Sequence, residues 1–380
     1  MTEKPGTAGE AGDTNAAAAA AAAASGSASG AARDAGARDG AIAAFWDWWT
    51  AEAADRLDAA FTGGADFGGG GFGDAGPMDI QAEVGPRVSA IDERLVWGFG
   101  AGEPFSRHLL TVTAAGDPRV RHIARRWLDA APDDGPVWSF TDLRTAEPIS
   151  TVTWAGHEID PAEARVAVAA GQGVANVRLF HPVFANFVAA GVEGERDVAH
   201  VGFMLLQLAL GEEDFGLWLR SFAFAAEEPE GAMPLAELPG FIDRLAGACP
   251  RWLTLQGQAD GKPVMVGTRA PLSPLVGPLV TRHVVAQLLF ADVLDDGQAG
   301  EASAKALADF HEDAMATLAD DGLLVATETA DGMRLLHFYV DPETDATERL
   351  ASLTDTWTEG DHEIVAAEDP AWERIGHLRA

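Results

Sequence analysis

The chain has a single cysteine, Cys249, in 380 residues. No disulfide can close within it, and no Cys/His zinc spacing can be assembled around that thiol. A lone thiol fits a reducing compartment, so the expected location is the cytoplasm. Basic residues are scarce too: 26 Lys and Arg stand against 59 Asp and Glu, a formal net charge of -33. Nucleic-acid backbones and anionic lipid surfaces repel such a chain, which argues against binding either through a basic face. Long hydrophobic runs are missing. Lys4 is followed by Pro5, Gly6 and Thr7 rather than a Leu-rich stretch, so no targeting leader is expected. The Ala run from Ala16 to Ala24 is too short and too weakly apolar to span a bilayer. The later stretch from Val201 to Leu210 is interrupted by Gln207 and followed by Gly211, Glu212, Glu213 and Asp214, which reads as a core helix.

Large apolar residues are present in quantity. With 18 Phe and 11 Trp, the chain can build packed interiors, and its length suggests two domains. Residues 1–39 hold no large apolar side chain after Met1 and cannot offset their ordering entropy, so they read as a disordered Ala/Gly/Ser-rich tail. Ile42, Phe45, Trp46, Trp49, Ala53 and Leu57 then recur at helical spacing. A Gly-rich loop from Thr62 to Pro77 follows, whose glycines follow no strand and so make no dinucleotide fingerprint. A helix is expected from Met78 to Ile91, bent near Gly85-Pro86.

Strands are predicted at Leu95–Phe99, His108–Thr113 and Val137–Phe140, with a helix from Pro118 to Ala130 capped by Asp117. Short strands at Thr151–Trp154 and Arg165–Ala169, a strand at Val174–Phe180 and helices around Val198–Leu208 and Leu235–Ala246 continue the first domain. The stretch Leu217–Ala225 fits either type. A boundary near residue 248 gives domains at 40–248 and 249–380. In the second, Asp260-Gly261 joins a hairpin, and from His283 the pattern runs β-α-β-β-α-β, with a second hairpin turning at Asp331-Gly332. The fold class is therefore α+β: two α/β-sandwich domains, the C-terminal one ferredoxin-like with an extra N-terminal hairpin.

Familiar catalytic motifs are absent. There is no G-x-S-x-G elbow and no phosphate loop. His311-Glu312 begins like a helical zinc motif, but Met315 occupies the second histidine position. Asp361-His362-Glu363 and His157-Glu158-Ile159-Asp160 place histidine beside carboxylates, as chance does in an acidic chain. No metal and no cofactor are expected, and the catalytic residues, if any, are unknown.

Six residues are singled out as partner- or ligand-binding candidates: Trp48, His181, Glu212, Glu213, Arg334 and His337. Trp48 turns away from the face shared by Trp46 and Trp49, and Trp is favoured at binding surfaces. Glu212 and Glu213 suit the first turn of a new helix, where the dipole favours them, or a site for a cation or basic partner. His337 shares a strand face with Leu335 and Tyr339. Tyr339 could orient it for catalysis, while packing and hydrogen bonding against its own helices is the plainer expectation. Arg334, on the opposite face, could clamp an anion or pair with a nearby carboxylate.

Several runs carry a resemblance. They include Phe45-Trp46-Asp47-Trp48-Trp49, Val96-Trp97-Gly98-Phe99-Gly100, Arg125-Arg126-Trp127-Leu128-Asp129, His181-Pro182-Val183-Phe184 and Leu210-Gly211-Glu212-Glu213. With Arg334-Leu335-Leu336-His337-Phe338-Tyr339-Val340 and Asp369-Pro370-Ala371-Trp372, the C-terminal half resembles the bacterial domain-of-unknown-function family numbered six-nine-five. The compact form of that family is similar to the regulator that inhibits ribonuclease E. The resemblance implies a ferredoxin-like C-terminal fold and an acidic protein that binds another protein. It carries over no catalytic residue, and the chain is far longer than that regulator.

The leading expectation is a non-catalytic cytoplasmic protein-binding or regulatory module whose acidic surface meets a basic protein. The alternative is an enzyme or small-molecule binder with a site between the two domains.

Overall fold

The computed structural model describes residues 35–62, 79–147, 150–171, 173–189, 191–259 and 261–379. Residues 63–77 of the expected Gly-rich loop and residues 1–34 of the expected tail lie outside them, while Thr62 ends the first helix. Residues 35–39, assigned to the tail from composition, belong to the first helix. The described residues mix helix and strand in an α+β arrangement, and they divide into two compact units.

The first unit comprises residues 35–62, 79–94 and 130–133. Helix α1 spans residues 35–62, with a π-helical turn at Trp49–Ala53 before its last segment Ala54–Thr62. Its buried face carries Ile42, Phe45, Trp46, Trp49, Ala53 and Leu57, the six positions picked out by periodicity. Helix α2, Ile80–Ile91, is capped by Asp79, whose side chain accepts from the Ala82 N–H at 3.0 Å. Arg56 pairs with Glu83 at 2.6 Å, which ties the two helices together.

The second unit holds residues 95–129 and the described residues from 134 onward. Its first layer is β1 (Val96–Ala101), β2 (His108–Thr113), helix α3 (Arg121–Asp129) and β3 (Trp138–Thr141). β1 and β2 are antiparallel, while β2 and β3 are parallel, as a crossover through α3 requires. A small hairpin follows, β4 (Val152–Trp154) with β5 (His157–Ile159).

Next come β6 (Arg165–Gly171), β7 (Val174–Phe180), α4 (Phe184–Val188), α5 (Val192–Trp218), β8 (Leu219–Ala225), β9 (Met233–Pro234) and α6 (Leu238–Ala248). They form a four-stranded sheet in the order β8-β7-β6-β9. Val166, Val177 and Leu179 from its strands pack with Val201 and Leu205 of α5 and Ile242 of α6. The ambiguous stretch after Leu217 resolves as the end of a helix and the start of a strand.

The remaining strands are β10 (Trp252–Ala259), β11 (Lys262–Arg269), β12 (Arg282–Leu289), β13 (Gly322–Ala330), β14 (Met333–Val340) and β15 (His362–Glu368), with α7 (Glu301–Leu318) and α8 (Ala346–Thr354) between them. They form one antiparallel sheet ordered β10-β11-β13-β14-β12-β15. Alternation sorts its faces. Val284, Ala286, Leu336 and Phe338 pack against Leu307, Phe310 and Leu318 of α7 and Leu350 of α8. Tyr339, Val325, Trp372, Ile375 and Leu378 form a separate core with the short helical turn Glu373–Leu378. At the β13–β14 turn Asp331 and Gly332 both have positive φ, 50° and 78°, as a two-residue hairpin demands.

Residue 248 lies inside the second unit, because contacts cross it. Arg126 of α3 reaches Asp341 at 2.6 Å and Glu343 at 3.0 Å, just past the end of β14.

Candidate functional site

β2 ends at Thr113, and the chain turns through Ala115 (φ 50°) and Gly116 (φ 84°) toward α3. The carboxyl end of a strand feeding a crossover helix is a common place for a ligand. Here it opens on a cavity of about 620 Å³ inside the second unit. That volume suits a small organic molecule.

Helix α5 supplies the central group of the cavity wall. Its helical path breaks at Gly211, which has φ 72° and ψ 176°. A Cβ there would meet Ala146 N at 2.8 Å and Arg144 O at 3.0 Å, so glycine is required both for conformation and for space. The break re-aims Glu212. Its N–H donates to Arg144 O at 2.8 Å. Its Oε2 accepts from the Thr113 hydroxyl and from the Arg144 N–H at 3.2 Å. Glu212 is only 5% exposed, yet its Oε1 has no hydrogen-bond partner among the described residues. A buried carboxylate oxygen in that state carries an unrepaid desolvation cost until a donor arrives.

Apolar side chains make most of the remaining wall, among them Phe203, Phe215, Leu217, Leu253, Leu272 and Leu275. Gly216 lies against Leu275: a Cβ would come within 2.4 Å of Leu275 Cδ1, which lets this loop approach the helix closely. The polar wall holds buried Gln207 and four guanidiniums, those of Arg121, Arg220, Arg269 and Arg379. Arg121 is 4% exposed and pairs with buried Asp142. Arg379 donates to the carbonyls of Ala371 and Trp372. Burial, and then the neighbouring Arg251 charge, push the Arg269 pKa down from its usual value.

The six residues named from sequence do not converge. Glu212 lines the cavity, while Glu213 beside it is exposed. His181 caps a turn: its Nδ1 accepts from the Val183 N–H at 3.1 Å, and its Nε2 lies 2.9 Å from Asp160 O. Trp48 belongs to the first unit and is half-buried, with the Arg87 guanidinium 4.1 Å from its ring centre. Arg334 sits on the helix-facing side of β14, where burial lowers its pKa; burial, and then the Arg334 charge, lower that of His311.

His337 is packed and hydrogen-bonded, but on the sheet face opposite α7 and α8. Its Nδ1 lies 3.1 Å from His283 Nε2 and its Nε2 3.0 Å from Glu328 Oε1, which His377 also approaches at 3.3 Å. Tyr339 does not orient it. The Tyr339 hydroxyl donates to Asp369 at 2.6 Å, and its ring stacks on His283. Burial and the Asp369 carboxylate push the Tyr339 pKa up, so the hydroxyl stays protonated.

Sequence reading missed Thr113, Arg220, Arg269 and the apolar wall. One signal was available: Gly211 inside a strong helical pattern, directly followed by three acidic residues. Among the described residues, no three His, Cys, Asp or Glu side chains gather in metal-binding geometry, and no helix is long and apolar enough to cross a membrane. The chain matches no known family model, no curated protein and no solved structure.

Proposed function

We propose that the second unit binds one small organic molecule in the cavity beside Glu212. The unpartnered Glu212 oxygen carries this reading. A buried carboxylate whose other oxygen is fixed by Thr113 and Arg144 is a prepared acceptor for a ligand's N–H or O–H. Its apolar surroundings supply the rest of the binding energy by excluding water from a hydrophobic ligand body. The reading is the small-molecule alternative raised from sequence: the lining draws on residues 113–220 and 253–379, either side of the boundary expected near 248.

The protein-binding reading keeps the net charge of -33 as its support. It loses force at Trp48, which is half-buried beneath Arg87 rather than presented. The region after residue 248 is read as ferredoxin-like. The order β13-β14-β12-β15, with α7 and α8 on one face, supports this, and the β10–β11 hairpin adds to the β13 edge. That is also what the resemblance to the family numbered six-nine-five implies. A cytoplasmic location is supported by the single free thiol of Cys249.

The uncharged fluorescent probe N-phenyl-1-naphthylamine tests the proposal. It should bind saturably at one site, and Leu253→Trp, which adds bulk to the cavity wall on edge strand β10, should abolish binding while preserving the fold by circular dichroism. Binding that is non-saturable, or unchanged in Leu253→Trp, counts against the cavity as the site.

A further inference from the structure

The cavity reverses the sign of the chain. The protein as a whole is strongly acidic, with a net charge of -33. Yet the cavity lining holds four arginines and two carboxylates, Asp117 and Glu212. Of these, Arg121 is spent on Asp142, Arg379 on backbone carbonyls, and Asp117 on Arg119 at 2.9 Å. Arg220 and Arg269 make no hydrogen bond or ion pair from their side chains among the described residues. Arg220 is exposed and Arg269 half-buried, and both turn toward one cavity without being drawn into an internal ion pair. Arg251 lies close enough to Arg269 for their charges to repel.

We propose that the ligand is an amphipathic oxyanion: a single organic molecule with an apolar body and an anionic headgroup held by Arg220 and Arg269. The inference rests on the cavity reading above and names the chemical class that fits it.

Three features fit together in that ligand. Guanidinium forks match carboxylate, phosphate or sulfonate oxygens two at a time, and such charge-assisted bonds are about twice as strong as neutral ones. The headgroup relieves the repulsion between Arg251 and Arg269. Phe203, Phe215, Leu253, Leu272 and Leu275 cover the body. With Asp117 paired to Arg119, the opposing charge left in the lining is Glu212, whose Oε2 is neutralised in part by two donors and whose Oε1 is left for an N–H or O–H on the ligand. Positive potential inside an acidic molecule also draws an anion inward from a surface that repels it, so the charge is concentrated where it recognises.

The experiment pairs two fluorescent probes that differ only in charge. 1-Anilinonaphthalene-8-sulfonate carries a sulfonate, and N-phenyl-1-naphthylamine has the same body without it. The full chain should bind the sulfonate at one saturable site at least about tenfold more tightly than the neutral probe, a difference that 0.5 M salt reduces. Arg269→Gln and Arg220→Gln, each checked for an unchanged thermal transition, should erase that preference and leave the neutral probe's affinity in place. Decanoate should displace the sulfonate probe where decanol does not. Equal affinity for both probes, or a preference untouched in Arg269→Gln and Arg220→Gln, overturns the anion assignment while the cavity reading stands. Failure of both probes to bind, or binding of both unaffected by Leu253→Trp, removes the cavity reading and the anion assignment with it.

Discussion

His337 and His283 meet edge to edge, their ring planes 4° from parallel and their centroids 5.3 Å apart, with His337 Nδ1 3.1 Å from His283 Nε2. Glu328 anchors the pair. A carboxylate only accepts, so His337 donates from Nε2 to Glu328, and one proton joins His337 Nδ1 to His283 Nε2. Burial holds His283 neutral. Protonating His283 would place a charge in a buried stack against Tyr339 and beside His337.

Acid should therefore destabilise the second unit through His283. Burial, and then the neighbouring His337, push its pKa down from 6.5 to about 4. The unfolded chain binds the proton first, so this contribution is complete above about pH 6.5 and is lost as pH falls toward 4. Glu328 acts in the same sense lower down: the hydrogen bond from His337 lowers its pKa, and that stabilisation fades as acid protonates the carboxylate. The other charges around the pair are Asp369, Arg374 and His377. The unfolding free energy of the wild type in urea should fall between pH 6.5 and 4 by roughly 1–3 kcal/mol more than that of His283→Gln, which can still donate but does not titrate there. Parallel curves for the two proteins would refute the assignment.

Gly211→Ala should be costly at two levels. The left-handed φ of 72° strains any side chain, and the new Cβ would press on the backbone of Arg144 and Ala146. A loss of about 1–3 kcal/mol in urea unfolding is expected. Because the same break aims Glu212, the variant should also bind the naphthylamine probe more weakly under conditions where it is fully folded. Wild-type affinity in the folded variant would mean that the break does not position the carboxylate.

How much of this could be read beforehand depended on how local the signal was. Ile42, Phe45, Trp46, Trp49, Ala53 and Leu57 were legible as one helical face, and Asp331-Gly332 as a turn, because each rests on neighbours a few positions away. The cavity was not legible. Thr113, Arg220, Leu253 and Arg269 come from four separate stretches, and only sheet register and the path of α5 bring them together. The same holds for the histidine pair: β12 meets β14 with Val285 opposite His337, so His283 reaches it from two residues along. His337 was placed on the wrong layer for a related reason. Alternation tells which residues share a strand face, but not which face the helices cover.

Glu212→Gln separates ligand binding from stability. The glutamine carbonyl can keep accepting from Thr113 and Arg144, so unfolding should change by less than about 1 kcal/mol. The free acceptor oxygen becomes an NH2 donor, which faces the ligand's N–H with another donor. Affinity for the naphthylamine probe should fall about tenfold. Unchanged affinity would show that Oε1 plays no part in binding.

Asp142→Asn probes the support behind the cavity wall. Asp142 is 2% exposed and accepts from Arg121, itself 4% exposed, while Arg125 Nε lies 2.8 Å from the same oxygen. Neutralising the carboxylate leaves the Arg121 guanidinium buried without its counter-charge, and that group already has an unpartnered Nε. A buried ion pair is worth little against a well-packed apolar replacement, but breaking it from one side is expensive, about 3–5 kcal/mol. The single variant should lose most of that range in urea unfolding, and Arg121→Met combined with Asp142→Leu should recover a large part of it. The double variant should also retain the preference for the anionic over the neutral naphthalene probe, because Arg121 spends its charge on Asp142 rather than on the ligand. Loss of that preference in a stable double variant would instead place Arg121 among the groups that hold the headgroup.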